Sequence, residues 1–161
     1  MATQVESRCF SDAPPVAAEV ARGVTRLLCR QDQFAICEMP LPNGRRADLM
    51  AIDPKGGLTI VEIKVAKADL LGDGKWFDYL DYCDRFYWAV PPYLSAILEE
   101  ERYLPSAAGL IVADRYDAAV VRAAAHRPMA PARRKSELLN FSRRAARRLA
   151  AQIDPSLGEA F

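Results

Sequence analysis

Histidine is almost absent from the 161-residue chain, which contains only His126. A zinc site built from several histidines is therefore excluded, and any catalytic scheme that pairs serine or cysteine with histidine must use this residue. Because His126 stands between an alanine run and an Arg-Pro pair, we expect it in a surface loop. Cysteine is also scarce, and no two of the four residues form a CxxC pair: Cys9, Cys29, Cys37 and Cys83. A zinc ribbon or a thioredoxin-like redox site is therefore not expected.

Long hydrophobic runs are missing as well. The longest apolar stretches, such as Leu58–Val61 and Ala107–Ala113, are far shorter than the roughly 18 residues of a membrane-spanning helix. The first residues also lack the apolar segment of a secretory signal. We therefore expect a cytoplasmic protein with reduced thiols and no membrane partner. Hydrophobic residues make up 51% and charged residues 27%, which is typical of a folded globular protein and excludes disorder for most of the chain.

A strong net charge is absent, but the charge is distributed unevenly. The chain carries +1 overall, whereas residues 133–148 contain seven lysines or arginines and one acid, a local charge of +6. Such a basic segment indicates either a surface for a polyanion or an ordinary solvated helix face. Four arginines flank the apolar stripe of the helix predicted there, and we expect them to contact DNA phosphates: Arg143, Arg144, Arg147 and Arg148.

The length of the chain favours a single domain. We place this domain at residues 13–151, with the basic helix at 132–151 as its last element. A flexible N-terminal tail is expected at 1–12 and a C-terminal tail at 152–161.

Hydrophobic periodicity and turn residues predict the order α-β-β-β-α-β, followed by further elements. This order is typical of an α/β or α+β fold in which helices flank a mixed sheet. The third strand has apolar residues at both its odd and its even positions, which indicates a central strand covered on both faces. The predicted helices cover 13–30, 75–84, 93–101 and 132–151, and the predicted strands cover 34–39, 46–52, 58–65, 86–90 and 109–113, while 118–124 is either a strand or a helix.

Glu62 and Lys64 stand within the most apolar of the predicted strands. Burying a charge there costs several kcal/mol unless the charge is paired or bound to a metal. Residues i and i+2 of a strand share a face, so these two side chains are neighbours. Asp48 lies on the preceding strand, and an even pairing register, such as Ile52 opposite Leu58, places it on the same face. We therefore predict that the three side chains converge.

Two carboxylates and a lysine at one point suit phosphodiester hydrolysis. Carboxylate oxygens, together with the backbone carbonyl of Ile63, are ligands for Mg²⁺ or Mn²⁺. Such an ion activates water and neutralises charge on a phosphoryl group. Lys64 can hold or deprotonate the attacking water, or stabilise the transition state. The alternative is a buried ion-pair cluster without activity.

Asp48, a Gly-Gly turn and Glu62-Ile63-Lys64 resemble the PD-(D/E)XK nuclease signature. The longer stretch RRADLMAID…GGLTIVEIKVAKADLLGDGKWFDYLDYCDRFYWAVPP is similar to the MmcB-type family of bacterial DNA-repair proteins within that superfamily. The resemblance covers about residues 15–125 and is strongest at 45–92. It implies a restriction-endonuclease-like core with a first helix, three antiparallel strands, a helix and a fourth strand. Ala47 occupies the position of the motif's proline.

The resemblance also implies roles for residues outside the motif. Glu19 on the first helix is expected to reach the metal site, unless it is a solvated residue at the helix edge. Glu38 on the first strand is a further candidate carboxylate. Lys75 opens the helix after the motif, where related nucleases often carry a Lys or Gln that orders the site. The alternative for Lys75 is an ordinary surface lysine.

The segment 76–88 is rich in aromatic residues, which suits either stacking on unpaired bases or packing of a helix onto the sheet. The helical spacing of its rings favours packing. Asp69 and Asp73, close to the motif, are turn-forming residues or ligands of a second ion. Three aspartates recur at intervals of three and predict a solvated face: Asp78, Asp81 and Asp84.

These observations together predict a Mg²⁺/Mn²⁺-dependent DNA endonuclease that acts in repair. Asp48 and Glu62 are expected to bind the metal, Lys64 to assist the reaction, and Glu19 to complete the site. Two alternatives belong to other classes. One is a nuclease fold that binds DNA or a repair partner without cutting, and the other is a phosphohydrolase that acts on a small molecule.

Overall fold

The computed structural model describes residues 15–159, and the tail predicted at 1–12 lies outside them. Within this range three short 3-10 helices occur, at Trp76–Tyr82, Pro92–Glu99 and Glu101–Tyr103. The α-helices and strands are α1 (Ala17–Arg30), β1 (Phe34–Pro40), β2 (Arg46–Ile52), β3 (Leu58–Ile63), α2 (Lys67–Gly72), β4 (Arg85–Val90), β5 (Gly109–Ala113), β6 (Ala118–Arg122), α3 (Pro131–Ile153) and α4 (Ser156–Glu159).

The strands form one mixed sheet in the order β1-β2-β3-β4-β5-β6. The first three strands make an antiparallel meander, β4 and β5 run parallel to β3, and β6 is antiparallel to β5. The parallel step from β3 to β4 requires a crossover, which α2 and the 3-10 helix after it provide. The predicted order α-β-β-β-α-β and the α+β architecture are therefore confirmed.

The sheet is covered on both faces. On one face α1 packs through Val20, Val24 and Leu28 against apolar residues of β2–β5. On the other face α2, the 3-10 helices and α3 enclose a larger core. All positions of β3 are buried, which confirms the prediction of a central strand with two covered faces.

The turn between β2 and β3 fixes their register. Asp53 Oδ1 accepts the backbone amide protons of Lys55 and Gly57, each at 2.8 Å. Gly56 has a φ of +80°, a conformation that residues other than glycine rarely adopt. The resulting pair Ile52–Leu58 confirms the predicted even register.

The helix predicted at 75–84 is a 3-10 helix at Trp76–Tyr82 instead. Its buried residues Trp76, Tyr79 and Tyr82 are spaced by three, and a repeat of three aligns them on one face of a 3-10 helix. Trp76 stacks on Phe86 at 5.4 Å between ring centroids, so these rings pack onto the sheet, as the spacing predicted. The predicted loop before this segment contains α2, and the helix predicted at 93–101 is also 3-10.

Asp84 corrects the prediction of a solvated acidic face. It is buried, and both of its carboxylate oxygens accept hydrogen bonds from the guanidinium of Arg134 on α3. The backbone amides of Leu58 and Met129 donate to it as well, at 2.8 and 3.1 Å. The carboxylate therefore ties α3 to the sheet. Asp78, in contrast, pairs with Arg45 at 2.9 Å on the surface.

The basic helix packs on the body through a narrower apolar face than predicted. Phe141 is buried and Leu138 half-buried, but Leu149, expected on the same face, is 60% exposed. The helix reaches Ile153, and α4 follows within the predicted C-terminal tail. The ambiguous segment 118–124 forms strand β6.

His126 has the predicted position. His126 is exposed and outside any helix or strand. Cys29, Cys37 and Cys83 are free thiols, and Cys9 lies outside the described residues. None of the helices in residues 15–159 has the length and apolar character needed to cross a bilayer.

Candidate active site at a fork between two strands

The ladder that joins β2 and β3 ends at the pair Leu49–Val61. Beyond this pair β2 stays bonded to β1, and β3 stays bonded to β4. Because each strand keeps its outer partner and loses the inner one, the sheet opens into a fork. The residues next in register are Asp48 on β2 and Glu62 on β3, so both stand at the fork.

Asp48 closes the base of the fork. Its Oδ2 accepts the backbone amide proton of Ile63 at 2.7 Å, a donor that would otherwise need a carbonyl of β2. Burial raises the pKa of the Asp48 carboxyl, while the Ile63 amide and the charge of Lys64 oppose the rise. The main chain of β3 therefore fixes this carboxylate in place.

Lys64 lies between two carboxylates. Its Nζ is 3.3 Å from Oε1 of Glu62 and 2.9 Å from Oδ2 of Asp73. The side chains of Lys64, Glu62 and Asp73 are only 15%, 7% and 12% exposed, so the contacts are shielded from water. The second oxygen of Glu62, Oε2, is buried and has no hydrogen-bond partner among the described residues.

The cluster contains more carboxylates than ammonium groups. Burial, and then the charge of Asp48, raises the pKa of Glu62 to about 7, although Lys64 opposes the rise. Burial lowers the pKa of Lys64, but the hydrogen bond to Asp73 and the charge of Glu62 outweigh it, so this pKa is raised overall. Three carboxylates thus share one ammonium group, and a further cation at the fork would favour their charged forms.

Glu62 and Lys64 line an open basin of about 490 Å³. Lys75, predicted to help order the site, is exposed at its border, and its backbone amide donates to Oδ1 of Asp73 at 3.1 Å. Arg45 and Tyr79 also line the basin. The structure therefore brings together Asp48, Glu62 and Lys64, with Lys75 at the edge.

Glu19 does not have the predicted role. Its Oε2 accepts the backbone amide proton of Val16 at 3.0 Å, at the N-terminus of α1. A carboxylate there satisfies a free amide and interacts favourably with the helix dipole. Glu19 is also not among the charges that shift the pKa values of Asp48 and Glu62. The structure thus corrects the prediction, because Glu19 caps its own helix.

Glu38 on β1 lies next to Asp48 on the neighbouring strand β2, and the charge of Glu38 raises the pKa of the Asp48 carboxyl. Its carboxylate pairs with Arg46 at 2.5 Å. The backbone of Glu38 has a φ of +53°, and its carbonyl accepts a hydrogen bond from Arg148 at 3.0 Å. Glu38 therefore borders the site while its side chain is held by an arginine.

The four arginines predicted to contact DNA fall into different environments. Arg148 donates to the carbonyls of Cys37 and Glu38, which corrects its predicted role, because it joins α3 to β1. Arg143 is exposed and Arg144 half-buried, and Arg147 is exposed but engaged in a contact.

Asp73 forms the predicted turn, because its Oδ1 accepts the backbone amide proton of Lys75 at 3.1 Å. Sequence reasoning missed its second contact, in which Oδ2 holds the ammonium group of Lys64. Its position in the motif-proximal loop was visible, but its distance from Lys64 depends on α2, which the sequence did not indicate.

The described residues contain no group of three or more His, Cys, Asp or Glu side chains that could hold a metal ion. Mg²⁺ is, however, commonly bound through one or two carboxylates, while water and substrate phosphate supply the other ligands. The pair Asp48–Glu62 matches this donor set, and Oε2 of Glu62 is an oxygen that no protein donor occupies. The residues present therefore fit Mg²⁺ or Mn²⁺.

Comparison with known proteins extends the resemblance over almost the whole chain. A family model described as DNA repair protein MmcB-like matches residues 6–156, which confirms the resemblance found in the sequence. A solved structure, the SPO1766 protein of unknown function from Silicibacter pomeroyi, is 40% identical with a TM-score of 0.78, and the match covers 91% of this chain and 96% of that one. No curated protein gives a significant match.

Proposed function

Because the chain belongs to the MmcB-like family of DNA repair proteins, we propose that it is a Mg²⁺- or Mn²⁺-dependent deoxyribonuclease that hydrolyses phosphodiester bonds during repair. The family membership supports the DNA-repair role. The nuclease activity is our inference from the geometry at the fork.

One observation carries the proposal: Oε2 of Glu62 is buried beside Asp48 and lacks a partner within residues 15–159. Lys64 satisfies the other oxygen of this carboxylate, and leaving a buried acceptor such as Oε2 without a donor costs about 1–3 kcal/mol. A site that retains this arrangement is better explained by a ligand than by structure alone. Asp48 and Glu62 would hold the metal, with the carbonyl of Ile63 as a further donor.

A divalent ion at this position would lower the pKa of bound water and neutralise phosphoryl charge. Lys64 would present its ammonium group toward the phosphate, because its ion pairs with Asp73 and Glu62 hold it at the basin and favour its charged form. It therefore suits stabilisation of negative charge in the transition state better than proton abstraction. Lys75 and Arg45 at the basin would contact the flanking phosphates.

The test is incubation of the purified protein with nicked, branched and single-stranded DNA in the presence of Mn²⁺. The wild type should cleave at least one substrate, and Glu62→Gln and Lys64→Ala should abolish cleavage. Glu101→Gln is the matched control, since Glu101 is exposed and does not line the basin. Cleavage that survives in Glu62→Gln would refute the assignment.

The alternative is a nuclease fold that binds DNA or a repair partner without cutting it. The Lys64–Glu62 ion pair favours it, because an ammonium group already neutralises one carboxylate without a metal. This reading predicts DNA binding without cleavage of any substrate, and binding that is insensitive to Glu62→Gln.

A further inference from the structure

A groove of about 550 Å³ runs between α1 and the outer strands β1 and β2. Ala18 and Ala21 form part of its helical wall, and Cys37 and Ile63 contribute to the wall on the sheet side. Asp48 lines its inner end. Because Asp48 also stands at the fork beside Glu62, the α1 groove adjoins the proposed catalytic site at this residue.

The walls of the α1 groove are apolar. Its helical side exposes alanine methyl groups between the rim arginines, and the hydroxyl of Thr25 is already used in a hydrogen bond to the carbonyl of Ala21 at 2.8 Å. Ile63 is 9% exposed and offers only hydrocarbon. A phosphate would lose its hydration here without gaining donors, so the groove suits a flat group with apolar faces.

Positive charge lies along the helical rim of the same groove, while Glu38 on the strand side has its carboxylate paired with Arg46. Arg22 and Arg26 are both exposed and both line it. Arg26 donates to the carbonyl of Tyr116 at 2.8 Å, whereas Arg22 makes no hydrogen bond or ion pair within residues 15–159. An apolar interior below a cationic rim is complementary to a nucleotide, whose base is apolar on its faces and whose phosphate is anionic.

We infer that the α1 groove receives an unpaired base of the strand held at the fork, and that the substrate is DNA with an unpaired nucleotide beside the cleaved linkage. This inference rests on the proposed function. The volume of the α1 groove, about 550 Å³, is within the range of about 300–1,000 Å³ that is typical of ligand pockets. A base in a sealed duplex is stacked and paired, and would have to be flipped out of the helix before it could enter.

The test compares binding of three probes in Ca²⁺, which replaces Mg²⁺ to prevent turnover. The probes are a single strand, a sealed duplex of the same sequence, and a strand of equal length with abasic residues at its centre. The wild type should bind the single strand about 10-fold more tightly than the other two probes.

Ala21→Trp fills the groove and should weaken binding of the single strand about 10-fold, with no effect on the abasic strand. Ala18→Trp repeats the test at an exposed position, in case the first variant fails to fold. Ala96→Trp, at an exposed alanine that lines neither the groove nor the basin, is the matched control. Thermal unfolding of each variant reports its folded state. Equal affinity of the wild type for the single strand and the duplex would overturn the inference. So would a tryptophan variant that weakens binding of the intact and the abasic single strands equally.

The two proposals can fail separately. If Glu62→Gln abolishes cleavage while Ala21→Trp and Ala18→Trp leave base-dependent binding intact, the hydrolytic function stands and the groove is not a base site. If no substrate is cleaved but the tryptophan variants remove the preference for unpaired bases, the groove inference stands and the hydrolytic proposal fails.

Discussion

Asp48 takes the place of a strand partner for Ile63, since its Oδ2 accepts the Ile63 amide proton at 2.7 Å where the β2–β3 ladder has ended. One carboxylate thus has two consequences. It satisfies a backbone donor at the base of the fork, and it sets the position of an acidic group beside Glu62. The structural and the proposed chemical roles of Asp48 can be separated by substitution.

Asp48→Ala should abolish cleavage and also lower the free energy of unfolding by about 1–3 kcal/mol, because the Ile63 amide loses its acceptor. Asp48→Asn retains a carbonyl oxygen for that amide, so its stability should stay close to wild type while cleavage is lost. Chemical denaturation and a cleavage assay on the same preparations measure both effects. Loss of stability in Asp48→Asn equal to that in Asp48→Ala would contradict the role of this hydrogen bond.

Asp73 should act by positioning Lys64. Asp73→Asn removes the carboxylate that lies 2.9 Å from Nζ of Lys64. Because the ammonium group is then no longer held in place, kcat should fall about 10- to 100-fold with little change in KM. Asp73→Glu should restore part of the rate. Asp81→Asn changes an exposed aspartate that does not line the basin, so it is the control and should behave like wild type. An effect confined to KM, or an equal effect of the control, would argue against positioning.

Stability should depend on pH through Asp84. Burial raises the pKa of this carboxyl, but hydrogen bonds from Arg134 and from the Leu58 and Met129 amides outweigh it and lower the pKa to about 2. Because the folded pKa lies below the unfolded value of about 4, the stabilisation is present above pH 4 and is lost as the pH falls toward 2. It amounts to about 2 kcal/mol.

Asp84→Asn should therefore be destabilised by about 3 kcal/mol at pH 7, since Arg134 loses its buried partner. The difference from wild type should shrink by about 2 kcal/mol between pH 4 and pH 2. Denaturant unfolding across this range measures it, provided both proteins unfold in two states. A difference that stays constant down to pH 2 would exclude the ionised pair as its source.

The arginines of α3 should separate into structural and DNA-contacting residues. Arg148→Gln should lower stability by about 1 kcal/mol, because the carbonyls of Cys37 and Glu38 lose their donor. Arg143→Gln should leave stability unchanged, weaken DNA binding, and reduce the slope of log K against log salt by about 1. An unchanged salt slope in Arg143→Gln would show that this side chain contacts no phosphate.

The centre of the site could be predicted from the sequence because its geometry is local. The alternation of side chains along a strand and the Asp53–Gly57 turn together determine that Asp48, Glu62 and Lys64 share a face. The burial of both sheet faces followed in the same way from the apolar pattern of β3. These features depend on residues that are close in the chain.

The features that sequence reasoning missed depend on tertiary distances. Asp84 and Arg148 are charged residues of types that usually lie on the surface. Only the packing of α3 against the sheet gives Asp84 a buried ion pair and Arg148 its backbone acceptors. Glu19 had an equally favourable local use as a helix cap. The 3-10 geometry at Trp76–Tyr82 follows from burying three rings at intervals of three, a pattern close enough to 3.6 to predict an α-helix.

Calorimetric titration with Mn²⁺ is the decisive experiment for the metal site, with single-stranded DNA present and with wild type and Glu62→Gln compared side by side. We expect saturable uptake by the wild type and its loss in Glu62→Gln, with both proteins folded. Absence of uptake by the wild type, or equal uptake by the two proteins, would contradict a divalent cation held between Asp48 and Glu62.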